Sequence, residues 1–306
     1  VVIYDAEHAL IAETVADAAV VAKAEVMRFV LDDLGPRPHA GLHPKIEEAL
    51  EGAQASVMIV SFLAGELRMR AQVVELAERR GLRHAHMPGV GRQSMVEGFS
   101  VDPDRIAEKG RALAMRLRPG SRITVKNAAG TDLVIKLAPQ CKWLEIGCVV
   151  AAGRAANLPG GELVTSPESV DGVCVADGTI GDADGTYARR LRETPLTFRF
   201  THSRVQAVEC ARDPGFARAI KTRTTEVANL DRVGLVQFGL NIGLREPIGD
   251  LPTDQKLPGL HLSLGDTLRQ KTNAQWTSKS WIAVALTSCD VDIDKTAVLR
   301  AGRYVV

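Results

Sequence analysis

The chain has 306 residues, 45% of them hydrophobic and 25% charged, with 38 Lys and Arg against 37 Asp and Glu. A formal net charge of +1 excludes a surface built throughout for nucleic acid, which needs concentrated positive charge, and leaves room only for a local basic groove. The length exceeds a typical single domain of about 100 to 200 residues, so two domains are expected.

In chain order, residues 1–5 read as a strand and 6–22 as a helix; strand signals recur at 25–31, 56–62 and 82–86, with helical periodicity at 45–51 and 66–80 between them. Strands separated by helices imply right-handed crossovers and a parallel sheet covered on both faces. Residues 1–118 are therefore expected to form a flavodoxin-like or Rossmann-like α/β domain. No Gly-x-Gly-x-x-Gly follows the first strand, where Asp5-Ala-Glu-His8 stands, and Gly89-Val-Gly91 lacks the third glycine. A dinucleotide is excluded on that ground, and no resident cofactor is expected.

After Arg118-Pro119-Gly120 the pattern changes. Short β-rich runs at 122–126, 132–137, 143–150, 170–175, 196–200, 204–210, 234–240, 260–264 and 279–286 are separated by Gly, Pro, Asn and Asp turns, and only 214–221 reads as clearly helical. The second domain, 119–306, is expected to be mainly antiparallel β in an α+β arrangement.

Cys141, Cys148, Cys174, Cys210 and Cys289 are odd in number and form no Cys-x-x-Cys pair, which fits reduced, buried thiols better than a disulfide framework. The first apolar stretch is broken by Glu13, Asp17 and Lys23, short of the ~20 apolar residues of a membrane span. No signal peptide and no membrane association are expected, and a cytoplasmic location is the simplest reading.

The densest motifs lie in the expected second domain: Gly130-Thr131-Asp132-Leu133, Asn157-Leu-Pro-Gly-Gly-Glu162 with Pro167, Phe238-Gly239-Leu240-Asn241, and Gly259-Leu-His261 with Gly265-Asp266. Each alone is a turn that any β protein could use. In this order and spacing they resemble the aminopeptidase T metallopeptidases and the related 2,5-dihydroxypyridine dioxygenases. The resemblance implies a metal held by an acid after the Asn-Leu-Pro turn, a second acid before the Gly-x-Asn turn, a histidine and a later His-x-Asp pair. Carried onto this sequence, Glu162 matches the first acid and His261 the histidine. The second acid falls near Leu235, and the pair falls on Ser280 and Ile282. Leu and Ile donate no lone pair, and Ser is a poor ligand for zinc or iron, whose catalytic sites use His and carboxylates. The metal ligand set is thus expected to be lost, with Glu162 and His261 the residues of choice for any proton transfer.

Other candidates carry less. His84 and His86 share one face of a strand, a spacing open to metal, with a surface or loop position as the plainer reading. His39 and His43 sit in a Pro- and Gly-rich connector, and Asp290, Asp292 and Asp294 recur at period two, as on a solvated face. Ser61, Ser94 and Ser263 lack the Gly-x-Ser-x-Gly elbow of a hydrolase.

All three tryptophans, Trp143, Trp276 and Trp281, lie in the expected second domain, and 271–281 interleaves indoles with amides, hydroxyls and ammonium groups. Such a surface suits a peptide backbone and its side chains, while Trp143 is expected in the core. Trp276, Ser280 and Trp281 are the candidate peptide-binding residues. A peptidase-like cleft without metal is similar to the peptide-binding proteins of crocagin biosynthesis. That resemblance implies a ribosomally made precursor peptide as ligand and a partner biosynthetic enzyme, and the resemblance to the aminopeptidase family implies a homodimer. The competing expectation is a metal-dependent aminopeptidase or ring-opening dioxygenase with ligands recruited from elsewhere.

Overall fold

The computed structural model describes residues 1–147 and 149–306; of the five cysteines, Cys148 lies outside the described residues. The chain begins with β1 (Val2–Tyr4), α1 (Ala9–Val21), β2 (Arg28–Val30), α2 (Pro44–Glu51), β3 (Ala55–Val60), α3 (Leu67–Arg79), β4 (Arg83–Pro88) and α4 (Arg92–Gly98). Next come α5 (Pro103–Ala114), β5 (Arg122–Lys126), β6 (Asp132–Leu137), β7 (Leu144–Ile146), β8 (Arg154–Asn157), β9 (Glu162–Thr165) and β10 (Pro167–Ala176). They are followed by β11 (Thr179–Asp182), β12 (Arg189–Arg190), β13 (Leu196–Thr201), β14 (Arg204–Glu209), α6 (Pro214–Glu226) and β15 (Val233–Gly239). The chain ends with α7 (Leu251–Asp254), β16 (Gly259–Gly265), α8 (Arg269–Thr272), β17 (Trp281–Val284), β18 (Asp290–Ile293), β19 (Thr296–Arg300) and β20 (Arg303–Tyr304).

The chain divides into two compact units, Val1–Ser100 with Gly147–Gly160, and Val101–Ile146 with Gly161–Val306. The division falls at Ser100 rather than near residue 118 because α5 belongs to the second unit, where Ile106 packs on Gly161 and Gly110 lies against Leu240. Its start was marked in the sequence by Asp102, whose side chain caps Asp104 N, and by Pro103 at the first helical position. Gly147–Gly160 returns to the first unit because β8 pairs in parallel with β4.

The first unit carries a five-stranded parallel sheet in the order β2-β1-β3-β4-β8. Ile3, Met58 and Val60 pack on one side with Ile46, Leu50, Met69 and Val73 from α2 and α3. Val2, Tyr4, Ile59 and Met87 pack on the other with Ala12 and Ala16 of α1. Burial on both faces explains why the central strand β3 reads as an almost unbroken apolar run.

Strand order reverses between β1 and β3, the place where open α/β sheets bind ligands beyond their carboxyl ends. Here that crevice holds the chain's own Arg37, whose Nη1 donates to Asp5 Oδ2 at 2.7 Å. Its Nε and Nη2 donate to the two Glu66 oxygens at 2.9 and 2.6 Å. Burial alone would push the Asp5 carboxyl up, but hydrogen bonds from His8, Ser61 and Arg37 outweigh it and hold the carboxyl well below the usual range.

His84 and His86 depart from the expected surface or loop position, since both lie on β4 and His84 is fully buried. His84 Nδ1 meets Ser56 Oγ at 2.8 Å, and its Nε2 lies 3.3 Å from His86 Nδ1. Burial lowers His84 to about 4 and, with the neighbouring His84 and Arg70, lowers His86 to about 3. The pair is a neutral polar contact inside a sheet.

The second unit contains two antiparallel sheets. The eight-stranded one runs β14-β13-β10-β6-β5-β18-β19-β20, and the seven-stranded one β12-β11-β17-β16-β15-β9-β7. β5 and β6 alternate buried and exposed residues, as half-covered strands do. β15 and β16 are buried at every position. α6 starts on Asp213, which caps Phe216 N, and on Pro214. No helix among the described residues is long and apolar enough to cross a membrane.

Ile3, at the centre of the parallel sheet, is completely buried. Ile3→Ala is expected to lower unfolding stability by about 2–5 kcal/mol. Val20→Ala, at a half-exposed position of α1, should stay within about 0.5 kcal/mol in the same urea titration.

Candidate functional site

Register fixes which residues share a face, because directly opposed residues of neighbouring strands point the same way. Glu162 on β9 opposes Gly239 on β15, which opposes Gly259 on β16; Gln237 opposes His261; Ser263 opposes Ala283, and Gly265 opposes Trp281 on β17. One face of the seven-stranded sheet therefore presents Glu162, Gln237, His261, Ser263, Trp281 and Ala283. The structure thus brings together Glu162, His261 and Trp281 of the expected residues.

Segment 250–257 covers this face. Asp250 caps α7 through Thr253 N at 3.2 Å, and Leu251 packs on Ala283 and Ala285, with Trp281 against the same cluster. Gln255 Nε2 donates to Gln237 Oε1 at 2.8 Å. Lys256 Nζ lies 2.8 Å from Glu162 Oε1 and donates a further hydrogen bond to Pro252 O. Lys256 is 3% exposed and Glu162 7%, so an ion pair is sealed into the interior.

Two glycines make room for the cover. A Cβ on Gly239 would lie 2.0 Å from Leu257 O, and one on Gly181 would lie 2.8 Å from Leu251 Cδ2. Any side chain at Gly239 would drive the backbone of Leu257 off the sheet.

His261 is completely buried. Leu286 N–H donates to its Nδ1 at 3.1 Å, and its Nε2 lies 2.8 Å from Leu257 O. A backbone N–H only donates and a carbonyl only accepts, so Nδ1 is unprotonated and Nε2 carries the proton. Burial lowers the imidazole to about 4, against the opposing effects of the Leu257 carbonyl and Glu162. Both ring nitrogens are committed to backbone, which leaves neither a lone pair for a metal nor a proton for transfer. Glu162 is likewise committed to an ammonium.

The residues present do not fit a metal ion. No group of three or more His, Cys, Asp or Glu side chains among the described residues could hold one. The remaining positions on the face offer an amide, a hydroxyl, an indole and the apolar groups of Val164, Leu235 and Ala283.

Ser280 and Ile282 sit differently from their alignment. Ile282 opposes Leu264 and Asp182, on the sheet face away from His261, and the positions turned toward the site are Trp281 and Ala283. Ser280 Oγ lies 3.5 Å from Arg223 Nη2, and Trp276 lies beneath Arg232, whose guanidinium carbon is 4.3 Å from the ring centre. Leu235 does share the site face, opposite Ser263. Trp143 stacks at a tilt on Phe238, 6.0 Å between centres. Asp266 accepts from Leu268 N at 3.0 Å and from the Thr277 hydroxyl at 2.9 Å, a turn-forming role.

Gln237, Gln255 and Lys256 were not among the sequence candidates. Gln237 could have been noticed as an amide within an otherwise apolar strand; Lys256 lies in a connector that carries no motif.

A cleft of about 1080 Å³ opens in the same unit, with Leu257 and Pro258, at the end of the covering segment, in its wall. Arg190 of β12 and Arg303 and Tyr304 of β20 also line it. β12 and β20 are the outer strands of the two antiparallel sheets, so the cleft is bordered by an edge strand from each. The Tyr304 hydroxyl donates to Gly239 O at 2.7 Å, which ties β20 to the same glycine that admits the cover.

The family model for NicX, 2,5-dihydroxypyridine 5,6-dioxygenase, matches residues 4–226. No curated protein is matched. Among solved structures, the 2,5-dihydroxypyridine dioxygenase from Pseudomonas putida KT2440 is similar, with a TM-score of 0.67 at 17% identity over 100% of this chain and 91% of that one. Wild-type AmpT from Thermus thermophilus is similar with a TM-score of 0.65 at 17% identity, over 100% of this chain and 94% of that one. At that identity the likeness concerns the fold: a parallel sheet followed by two antiparallel sheets.

Lys256→Ala leaves the Glu162 carboxylate buried without its counter-charge and is expected to cost about 3–5 kcal/mol of unfolding stability. The double change Lys256→Met with Glu162→Leu should recover most of that in urea unfolding; an equal loss in both variants would show that the pairing is not what matters.

His261 also sets an acid limit. An unfolded imidazole protonates near about 6.5, whereas the folded one waits until about 4. Between those values the unfolded chain holds the extra proton, so His261's contribution is whole above about pH 6.5 and is lost as pH falls toward 4. Because His84 and His86 act in the same direction, the readout is a difference. The stability lost between about pH 7 and pH 4.5 should be smaller in His261→Gln than in the wild type, and equal losses would remove His261 from the acid response.

Proposed function

We propose, from the premise that the chain belongs to the NicX, 2,5-dihydroxypyridine 5,6-dioxygenase family, that this member binds a peptide without a metal ion. The observation that carries the reading is the buried Lys256–Glu162 pair. An ammonium fixed on the carboxylate satisfies the charge that a divalent ion would otherwise balance, and His261 is closed on both sides by backbone. What remains available is the cleft beside that face. An edge strand is a template for an extended chain, since backbone pairing gives affinity and side-chain pockets give choice. Two edge strands meeting one cleft favour a peptide over a small aromatic ring.

The ligand we assign is a ribosomally made precursor peptide of a natural-product pathway of the crocagin type, held for a partner biosynthetic enzyme. Glu162 and His261 act here as structural residues. Trp281 packs on Leu251, Ala283 and Ala285, so its role is to support the covering segment. Trp276, partly exposed under Arg232, is the indole of the three best placed for an external partner.

Two measurements on the intact chain test this. Elemental analysis after purification without chelator should find iron, zinc and manganese far below one equivalent, and adding each should leave the melting temperature unchanged. Calorimetric titration with precursor peptides encoded beside the gene should give saturable heat. Stoichiometric metal together with turnover of a peptide or a dihydroxypyridine would establish the metalloenzyme alternative instead.

A further inference from the structure

The cleft is strongly biased in charge. Lys109, Arg190, Arg192, Arg245 and Arg303 line it against two acids, Asp177 and Glu246. Asp177 is engaged with its own loop, accepting from Thr287 N at 2.8 Å and from the Thr287 hydroxyl.

The cations are not equivalent. Arg190 donates to Ile248 O, Lys109 donates to Val306 O at 2.7 Å, and Arg192 lies 4.0 Å from Glu246. The side chains of Arg245 and Arg303 make no hydrogen bond or ion pair among the described residues, and both are exposed. Arg303 stands on the edge strand β20, opposite Arg300 of β19, and Arg300 is turned to Asp292 at 2.5 Å. The neighbouring strand therefore supplies no carboxylate to Arg303.

We infer that the occupant of this cleft is an acidic peptide segment, bound extended along β20, with its carboxylates on Arg245 and Arg303. This rests on the peptide-binding reading above and adds the chemistry of the ligand. An extended strand places alternate side chains on one side about 6.6–6.8 Å apart, so acids at every second residue suit the site better than a contiguous acidic run. Guanidinium groups take carboxylates through two parallel N–H donors, and exposed cations around a cleft steer an anionic partner toward it.

The test uses the full chain and three end-capped hexapeptides with Thr at every second position and Glu, Ser or Lys at the others, titrated by calorimetry at low salt. The Glu peptide is expected to bind at least about tenfold more tightly than the Ser peptide, and to lose about tenfold or more in affinity as NaCl is raised to roughly 0.5 M. Arg245→Glu with Arg303→Glu should abolish that preference; both positions are exposed, and an unchanged melting temperature verifies that the variant is folded. Equal binding of the Glu and Ser peptides would overturn the acidic assignment and leave peptide binding standing. Preference for the Lys peptide would overturn the acidic assignment in the same way. No binding of any of the three, together with no heat from the precursor peptides, would overturn both.

Discussion

A buried ammonium set against a buried carboxylate governs how the seven-stranded sheet is covered. Lys256 and Glu162 are each sealed from solvent, and neither charge is tolerable there without the other. Their pairing holds segment 250–257 down on the sheet. Around it, Gly239 admits the Leu257 carbonyl, Gln255 closes on Gln237, and His261 ties Leu257 O on one side to Leu286 N on the other. The acid and the histidine that the resemblance turns toward a metal are used here to fasten the chain to itself. The arrangement is self-consistent because Lys256, Gln255 and His261 each bury a polar group against a named partner, Glu162, Gln237 and the Leu257 and Leu286 backbone.

Much of this architecture was legible in the residues, and the parts that were not have identifiable causes. The parallel sheet announced itself through apolar runs separated by helical periodicity, and β3, covered on both faces, gave the plainest signal. The edge of the first unit was misplaced because α5 resembles the helices before it; no local property says which unit a helix packs against. The Asn-Leu-Pro turn and the Gly259-Leu-His261 segment pointed to Glu162 and His261, which the strand register places on one face. The later pair could not be placed as well, since a shift of one residue exchanges the two faces of a strand; Ile282 looks away while Trp281 and Ala283 look in. Lys256 was invisible because its importance lies in a contact with a residue 94 positions earlier.

The cleft shows how one fold keeps an opening while closing a site. Edge strands normally need protection against pairing with other chains, and charged side chains are a common device. Arg190 and Arg303 stand on the two edges that border the cleft. Charge at such an edge discourages pairing of like edges, and under the proposed binding of an acidic peptide the same charge would select the incoming strand.

The interleaving of the two units bears on how the chain is made. Segment 147–160, which supplies β8, is separated from the rest of the first unit by residues 101–146 of the second. As the polypeptide leaves the ribosome, β4 is therefore the outer strand of an incomplete sheet until some seventy residues later, counting from Pro88 to Asn157. During that interval its free edge is open to any passing strand, a period of exposure that a simple tandem of domains would avoid. The first unit is thus not separable by a single cut, and a gene fragment ending between the units yields a sheet lacking its last strand.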